Sequence, residues 1–172
     1  QLTSADTIDG GADTDTITLS ADAATIVDAD FTNIDNVEKF TTAGGSNNLT
    51  LGTKAADALI ATVTGGDGND TINASGFDAV LTISSGSGDD VITAQSGALA
   101  LSVDAGAGDD GITIVGAQLT DADTIAGGAD TDTITLSANS ATIVDADFTA
   151  ISDVEKFTTA DGANSVTLGT LA

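Results

Sequence analysis

Glycine–aspartate segments recur along the chain, three of them at intervals of about 20 residues, and this recurrence strongly limits the folds it can adopt. The clearest segment, residues 65–73, reads GGDGNDTIN and matches the nine-residue pattern G-G-x-G-x-D-x-U-x, where U is a large aliphatic residue. Related segments begin at Ser85 and Ala105, and the sequence GGADTDTIT occurs at residues 10–18 and 127–135. Glycine permits positive φ in a sharp turn. Tandem turns of this kind predict a structure built from repeated coils.

Apolar residues fall into columns between these segments. Ile72, Ile92 and Ile112 follow three of the turns at equal spacing. A second column precedes the turns and alternates with period two, which indicates strands with one buried face. Its members are Leu59, Ala61 and Val63, then Ala79, Leu81 and Ile83, then Leu99, Leu101 and Val103.

These columns predict an all-β fold, a parallel β-roll or β-helix solenoid with coils of roughly 20 residues. The Gly-Asp loops are expected to lie mainly along one edge, with short turns such as residues 74–76 at the other edge. Antiparallel hairpins are the alternative, but they do not require apolar residues to recur at this constant spacing.

The chain also contains a long internal duplication, in addition to the short repeat. Residues 1–55 recur as residues 118–172 without a gap, with roughly four in five positions identical. The sequence therefore predicts one full repeat unit at 1–117 and the start of the next at 118–172, stacked as one continuous domain. The chain is expected to be a fragment of a longer array.

Residues 27–43 and their copy 144–160 do not follow the column pattern. Phe31, Ile34, Val37 and Phe40 are spaced by three residues, which fits either a helical turn or an irregular coil. We expect these large residues to fill a wider core. The whole segment at 10–43, about 34 residues that recur at 127–160, is either one expanded coil or two short coils. Residues 44–48 (GGSNN) are interpreted as a turn related to the Gly-Asp loops but without the aspartate.

Charge and composition limit the possible partners and reactions. The formal net charge is −24, and the chain has no His or Cys, so we expect it to repel nucleic acid and anionic membranes. No apolar run approaches the length of a membrane span. Without His, Cys or a G-x-S-x-G segment, the chain is not expected to be an enzyme. Its many carboxylates mean that composition alone does not exclude a glycosidase-type pair of catalytic carboxylates.

Stacked coils would bring Asp70, Asp90 and Asp110 into a row about 4.8 Å apart. Neighbouring charges at about 5 Å repel by about 3 kcal/mol at an effective dielectric constant of 20, so such a row needs cations. Zinc and later transition metals favour His or Cys, whereas Ca²⁺ accepts six to eight carboxylate and carbonyl oxygens. The predicted cofactor is therefore Ca²⁺.

These segments resemble the RTX, or hemolysin-type, calcium-binding repeat. The resemblance implies a calcium ion between successive loops, and therefore about three or more ions. It implies carboxylate ligands from the sixth loop position, here Asp15, Asp70, Asp90, Asp110 and Asp132. It implies carbonyl ligands from Gly66, Gly68, Gly86, Gly88, Gly106 and Gly108. Asp13 and Asp130 replace the fourth-position glycine and are further candidate ligands. Asp15 lacks an obvious partner loop one coil upstream. Asp89 and Asp109 are expected to face solvent.

The resemblance also implies an extracellular or cell-surface protein of a Gram-negative bacterium, exported by type I secretion. The expected function is a calcium-stabilised structural segment of a surface layer, filament or adhesin stalk, which either associates with copies of itself or acts as a spacer. One alternative is a calcium-folding passenger or secretion module beside a toxin, enzyme or adhesive head. A second alternative is ice or mineral binding, because Thr16, Thr18, Thr133 and Thr135 are expected to point outward.

Overall fold

The computed structural model describes residues 1–94, 99–115 and 119–170, in which the backbone forms a parallel β-solenoid of about seven coils. Two seven-stranded parallel sheets run along it. The first sheet contains, in spatial order, β2 (Thr16–Thr18), β5 (Lys39–Thr41), β7 (Thr62–Asp67), β9 (Leu81–Ser87), β11 (Leu101–Ala107), β13 (Thr124–Ala129) and β16 (Ile151–Ser152). The second sheet contains β3 (Thr25–Ile26), β6 (Asn48–Thr50), β8 (Thr71–Asn73), β10 (Val91–Ala94), β12 (Gly111–Ile114), β14 (Thr133–Leu136) and β17 (Lys156–Thr159).

Four short strands and three short helices complete the described part of the chain. β1 (Ile8–Asp9) pairs with β4 (Ile34–Asp35), and β15 (Thr142–Ile143) pairs with β18 (Ser165–Val166). The helices are the 3₁₀ helices η1 (Asp28–Phe31) and η2 (Asp145–Phe148) and the α-helix α1 (Thr53–Asp57). Within the described residues, no helix has the length and apolarity needed to cross a membrane.

The strand register confirms the predicted columns. Ile72 lies beside Ile92, and Ile92 lies beside Ile112, in the second sheet. Val63, Ile83 and Val103 form the matching row in the first sheet. All six side chains are buried between the sheets, and every strand pair is parallel, which excludes the hairpin alternative for the described strands.

The prediction failed for three apolar residues. Leu59 and Leu99 are 51% and 40% exposed, and Ala61 is also exposed. Each lies before its strand, because β7 begins at Thr62 and β11 at Leu101. Alternation between two faces applies only where the backbone is extended, so residues ahead of the strand need not follow it.

Coil length also differs from the predicted value outside the centre. The central coil that leads from Thr62 to its partner Thr82 has the predicted length, whereas the coil from Lys39 to its partner Thr62 is longer. The coils that begin at β2, β5 and β13 each hold a further strand or a short helix. Helix α1 stacks on η1 of the preceding coil, where the Asp28 carboxylate accepts hydrogen bonds from the backbone N–H groups of Gly52 (2.8 Å) and Ala55 (3.0 Å).

The segment at 10–43 is neither one expanded coil nor two short coils, because it covers one coil of the longer type, from Thr16 to its partner Lys39, and parts of the coils on either side. Residues 27–43 contain η1, β4 and β5 and lie within two successive coils of the longer type. Phe31 and Phe40 are buried with their ring centroids 5.3 Å apart in an edge-to-face arrangement. Ile34 and Val37 are buried beside them, which confirms that these residues fill the core.

The two copies of the internal duplication occupy different faces of the solenoid. Successive pairings lead from Thr16 through five coils to Thr124 in the first sheet. The sequence copy of Thr16 is Thr133, one loop further along and in the second sheet. One repeat unit thus moves the chain along the solenoid by five coils and then around it to the next sheet. The proposed boundary at 117/118 lies outside the described residues.

Candidate metal-binding edge

One edge between the two sheets carries a continuous row of polar side chains, which we call the acidic ladder. Beyond its first member, each side-chain oxygen accepts a hydrogen bond from the backbone N–H of the ladder residue one coil earlier. These distances run from 2.7 Å, for Asp70 N to Asp90 Oδ1, to 2.9 Å, for Asp110 N to Asp132 Oδ1. The ladder comprises Asn47, Asp70, Asp90, Asp110, Asp132 and Glu155.

The four aspartates of the ladder are buried, and each of Asp70, Asp90, Asp110 and Asp132 is at most 2% exposed. The second carboxylate oxygen, Oδ2, of the last three accepts no hydrogen bond. A buried carboxylate oxygen without a partner is costly. These oxygens therefore mark positions where a cation would supply the missing interaction.

Burial raises the pKa of three ladder carboxyls in the metal-free chain. For Asp90 and Asp132, the rise in pKa comes first from loss of hydration, which outweighs the opposing hydrogen bond from the preceding rung. The pKa of Asp110 is raised to about 6 by burial, with further repulsion from Asp90 and Asp132. Each carboxylate is thus destabilised as an anion unless a positive charge lies beside it.

These shifts predict that the calcium-free chain gains β-structure as the pH falls from 7 toward 5. A carboxyl whose pKa rises on folding stabilises the fold fully below its unfolded pKa, 3.8 for Asp110, and this contribution disappears as the pH rises through about 6. Far-UV circular dichroism of calcium-free protein across this range measures the effect. Added NaCl at pH 7 is the control, since it screens exposed charges far more than buried ones. A β-signal that is flat or falls on acidification would contradict the prediction.

The glycines beside the ladder stack closely on one another, and the carbonyl oxygen of one lies beside the Cα of the glycine one coil later. Gly86 and Gly106 have φ of +114° and +102°, and a methyl group on either would overlap the carbonyl oxygen of the glycine one coil earlier. Gly66 and Gly86 supply these two carbonyls. Gly68, Gly88 and Gly108 also have positive φ and allow the same close stacking.

This set of donors fits calcium. In residues 1–94, 99–115 and 119–170, no three His, Cys, Asp or Glu side chains form a metal cluster. An ion at this edge must therefore combine one or two carboxylates with backbone carbonyls. Ca²⁺ accepts such mixed oxygen sets, and the unpaired Oδ2 atoms supply the negative charge that it requires.

Outside the ladder, a second row faces solvent as expected. Asp89 and Asp109 are exposed, and their hydrogen bonds run in the opposite direction along the stack. Asp109 N donates to Asp89 Oδ1 at 3.0 Å, and Thr131 N donates to Asp109 Oδ1 at 2.9 Å. The two rows together hold successive loops in register from both sides.

The structure does not bring Asp13 and Asp15 to the acidic ladder. Their loop leads into β2 in the first sheet, whereas the loop with Asp130 and Asp132 leads into β14 in the second. Asp15 Oδ2 is nevertheless buried without a hydrogen-bond partner. Asp13 and Asp130 are exposed and have φ of +75° and +81°, which accounts for an aspartate at a position that otherwise favours glycine.

Sequence reasoning missed three residues that join these rows. Asn47 continues the ladder beyond Asp70, which supports the interpretation of residues 44–48 as a related loop without its aspartate. Glu155 ends the ladder after Asp132, and Glu38 has the same relation to Asp15. The available signal was their spacing, since each lies 23 residues from a loop aspartate.

Comparison with known families identifies the repeat. The sequence pattern of the RTX calcium-binding nonapeptide repeat matches four times, at residues 2–26, 62–81, 82–98 and 119–141, which is about half of the chain. No curated protein and no solved structure matches the chain. The β-roll of RTX repeats is a structural fold that is not typically catalytic, and RTX proteins are typically secreted. With four repeats placed on a parallel β-solenoid, the chain belongs to the RTX calcium-binding repeat family.

Proposed function

We propose that this chain is a calcium-stabilised structural repeat segment of a large secreted or cell-surface protein, and that it associates with further coils of its own kind. In this proposal, ions lie along the acidic ladder, held by Asp70, Asp90, Asp110 and Asp132 with carbonyls of the stacked glycines. Residues 1–117 form one unit and residues 118–172 begin the next. Ca²⁺ provides the charge that allows the buried carboxylates to stack.

The observation that carries this proposal is the continuity of the solenoid across the duplication. Both seven-stranded sheets pass from the first copy into the second, and the ladder continues from Asp110 to Asp132 across it. A unit that joins its own copy in this way can be repeated along one axis, as expected for a rod or lattice.

An apolar recess at the C-terminal end supports further stacking. It has a volume of about 510 Å³ and is lined by Phe148, Ile151, Phe157, Val166 and Leu168 among others. In the first copy the corresponding residues Phe31, Ile34, Phe40, Leu49 and Leu51 are buried. There the next coil, which includes Val63 and Ile72, pairs with β5 and β6. We therefore propose that a further coil of the same type covers this recess.

A self-association experiment tests the proposal. With calcium, we expect the protein to form concentration-dependent dimers or longer filaments, measured by light scattering after gel filtration and by electron microscopy. Leu168→Asp places a charge in the recess and is expected to abolish association. Val80→Asp is the matched control, since Val80 is 58% and Leu168 is 61% exposed but Val80 lies away from the recess. A protein that remains monomeric at high concentration in calcium argues against self-association and in favour of a spacer.

The alternative functions receive less support. A passenger module beside a toxin, enzyme or adhesive head predicts the same calcium sites but no filaments. Ice or mineral binding would favour two regular rows of hydroxyl groups. One outward row contains Thr93, Thr113, Thr135 and Thr158, but Val91 and Gly111 interrupt the adjacent row. The net charge of −24 disfavours binding to nucleic acid and to anionic membranes. We also propose an extracellular location on a Gram-negative cell.

A further inference from the structure

The chain contains only two glutamates, Glu38 and Glu155, and the structure gives them the same role. Asp15 N donates to Glu38 Oε2 at 2.9 Å, and Asp132 N donates to Glu155 Oε2 at 2.8 Å. In the central coils this hydrogen bond goes to the aspartate of the next Gly-Asp loop, as from Asp70 N to Asp90 Oδ1. Each glutamate thus replaces a loop aspartate in the following coil.

The surroundings of each glutamate match those of a complete pair of loops. Beside Gly65, the Asp70 Oδ2 atom and the Ser85 carbonyl oxygen converge. A methyl group built on Gly65 would clash with both oxygens. Above Gly127, Asp132 Oδ2 and the carbonyl of Asp153 converge in the same way. Above Gly10, the converging atoms are Asp15 Oδ2 and the carbonyl oxygen of Asn36.

The oxygens that converge above Gly127 lack a compensating positive group. Asp132 is fully buried, and its Oδ2 accepts no hydrogen bond. The single ion pair within the described ranges joins Lys54 and Asp57 on the surface, so no lysine neutralises this position. Asp15 Oδ2 is likewise buried and unpaired in the other copy. The same unpaired oxygen therefore occurs independently beside both glutamates.

Chain length explains why glutamate stands at these two positions. In a full loop, Ser85 supplies the carbonyl oxygen and Asp90 supplies the carboxylate, five positions later. In the short segments, Glu38 follows Asn36, and Glu155 follows Asp153, by only two positions. The backbone takes a shorter path around the corner, with φ of +54° at Asn36 and +53° at Asp153. A side chain one methylene longer then reaches the same row.

We infer that Glu38 and Glu155 complete two additional cation sites of the calcium type, in which residues 36–38 and 153–155 replace the second Gly-Asp loop. This inference rests on the proposed calcium binding of the ladder. It adds one ion between residues 10–15 and 36–38 and one between residues 127–132 and 153–155. The ligands would be Asp15 with Glu38, and Asp132 with Glu155, together with the carbonyls of Asn36 and Asp153.

Calcium stoichiometry of the double variant Glu38→Gln/Glu155→Gln tests the inference. Glutamine keeps an oxygen that accepts the backbone hydrogen bond but removes the charge, so we expect the number of bound ions, measured by equilibrium dialysis, to fall by two. Asp78→Asn/Asp104→Asn is the matched control, because it removes two exposed charges and is expected to leave the stoichiometry unchanged. Circular dichroism in saturating calcium verifies that the fold is retained.

An unchanged ion count in the double variant would overturn the inference, as would an equal loss in the control pair. If the double variant does not fold, the single variant Glu155→Gln in the last coil decides, with a loss of one ion expected and no loss contradicting the inference. Failure of the underlying calcium proposal is distinct, since the unaltered chain would then bind no calcium at all.

Discussion

In calcium-free buffer with excess chelator at pH 7, the chain is expected to lose most of its β-structure, and added calcium is expected to restore it. The buried ladder contains four aspartates within hydrogen-bond reach of successive coils. Two such charges about 5 Å apart repel by about 3 kcal/mol at an effective dielectric constant of 20. In the absence of cations this repulsion acts between each pair of neighbouring aspartates and opposes closure of the stack.

Calcium binding stabilises the folded state by a free energy comparable to that of this repulsion. An ion present at 100 times its dissociation constant stabilises the folded state by about 2.7 kcal/mol per site. Three sites would then contribute about 8 kcal/mol, which is similar to the total stability of many domains, about 5–15 kcal/mol. Folding would therefore depend on the calcium concentration, so that the chain is unfolded at low calcium and folded at high calcium.

Far-UV circular dichroism during a calcium titration measures this dependence. Magnesium at the same concentration is the control for ionic strength and divalent charge, and we expect it to be much less effective because it requires strict octahedral geometry and retains its waters. The same β-signal in excess chelator and in calcium would contradict the role assigned to the acidic ladder.

The substitution Gly106→Ala is expected to destabilise the calcium-bound protein strongly, by at least about 2 kcal/mol. Gly106 has φ of +102°, and a methyl group there would overlap the carbonyl oxygen of Gly86. Unfavourable backbone conformations of this kind cost about 1–3 kcal/mol, and the overlap adds to this because neither backbone can move without breaking the strand register. Displacement of the Gly86 carbonyl would also remove a proposed calcium ligand.

Gly111→Ala provides a matched control five residues away. The nearest atom to a methyl group at Gly111 is the Asp90 carbonyl oxygen at 3.9 Å, and its φ does not lie in the left-handed region. We expect this variant to change the free energy of unfolding by less than about 0.5 kcal/mol. Urea unfolding in saturating calcium compares the two variants. Equal destabilisation would show that close stacking of the glycine loops does not limit stability.

The central coils could be predicted from sequence because their spacing is constant. Each loop aspartate from Asp70 to Asp110 lies 20 residues from the next, so these aspartates must occupy one row if the coils stack in parallel. Ile72, Ile92 and Ile112 must occupy another row for the same reason. Burial of the phenylalanines at 31 and 40 was also predictable, since aromatic side chains in this acidic chain have few other places to be shielded from water.

The flanking coils could not be predicted in the same way. Their greater length accommodates α1 and η1, whose contact depends on Asp28 reaching the N-terminus of a helix one coil later. The roles of Asn47, Glu38 and Glu155 were also hidden, because none of them belongs to a nonapeptide. In these flanking coils, only the paired strands show which residue of the next coil lies beside a loop aspartate.

The sequence by itself determined the repeat, the inward isoleucine column and the oxygen-rich composition of the metal-binding loops, because these follow from local spacing and residue chemistry. Tertiary structure alone decided at which edge each of the two GGADTDTIT loops lies. The two identical GGADTDTIT segments lie at different corners, since the long repeat unit spans five coils and one further face. Identical local sequences therefore have different neighbours, because neighbours in a solenoid depend on the summed length of all intervening coils.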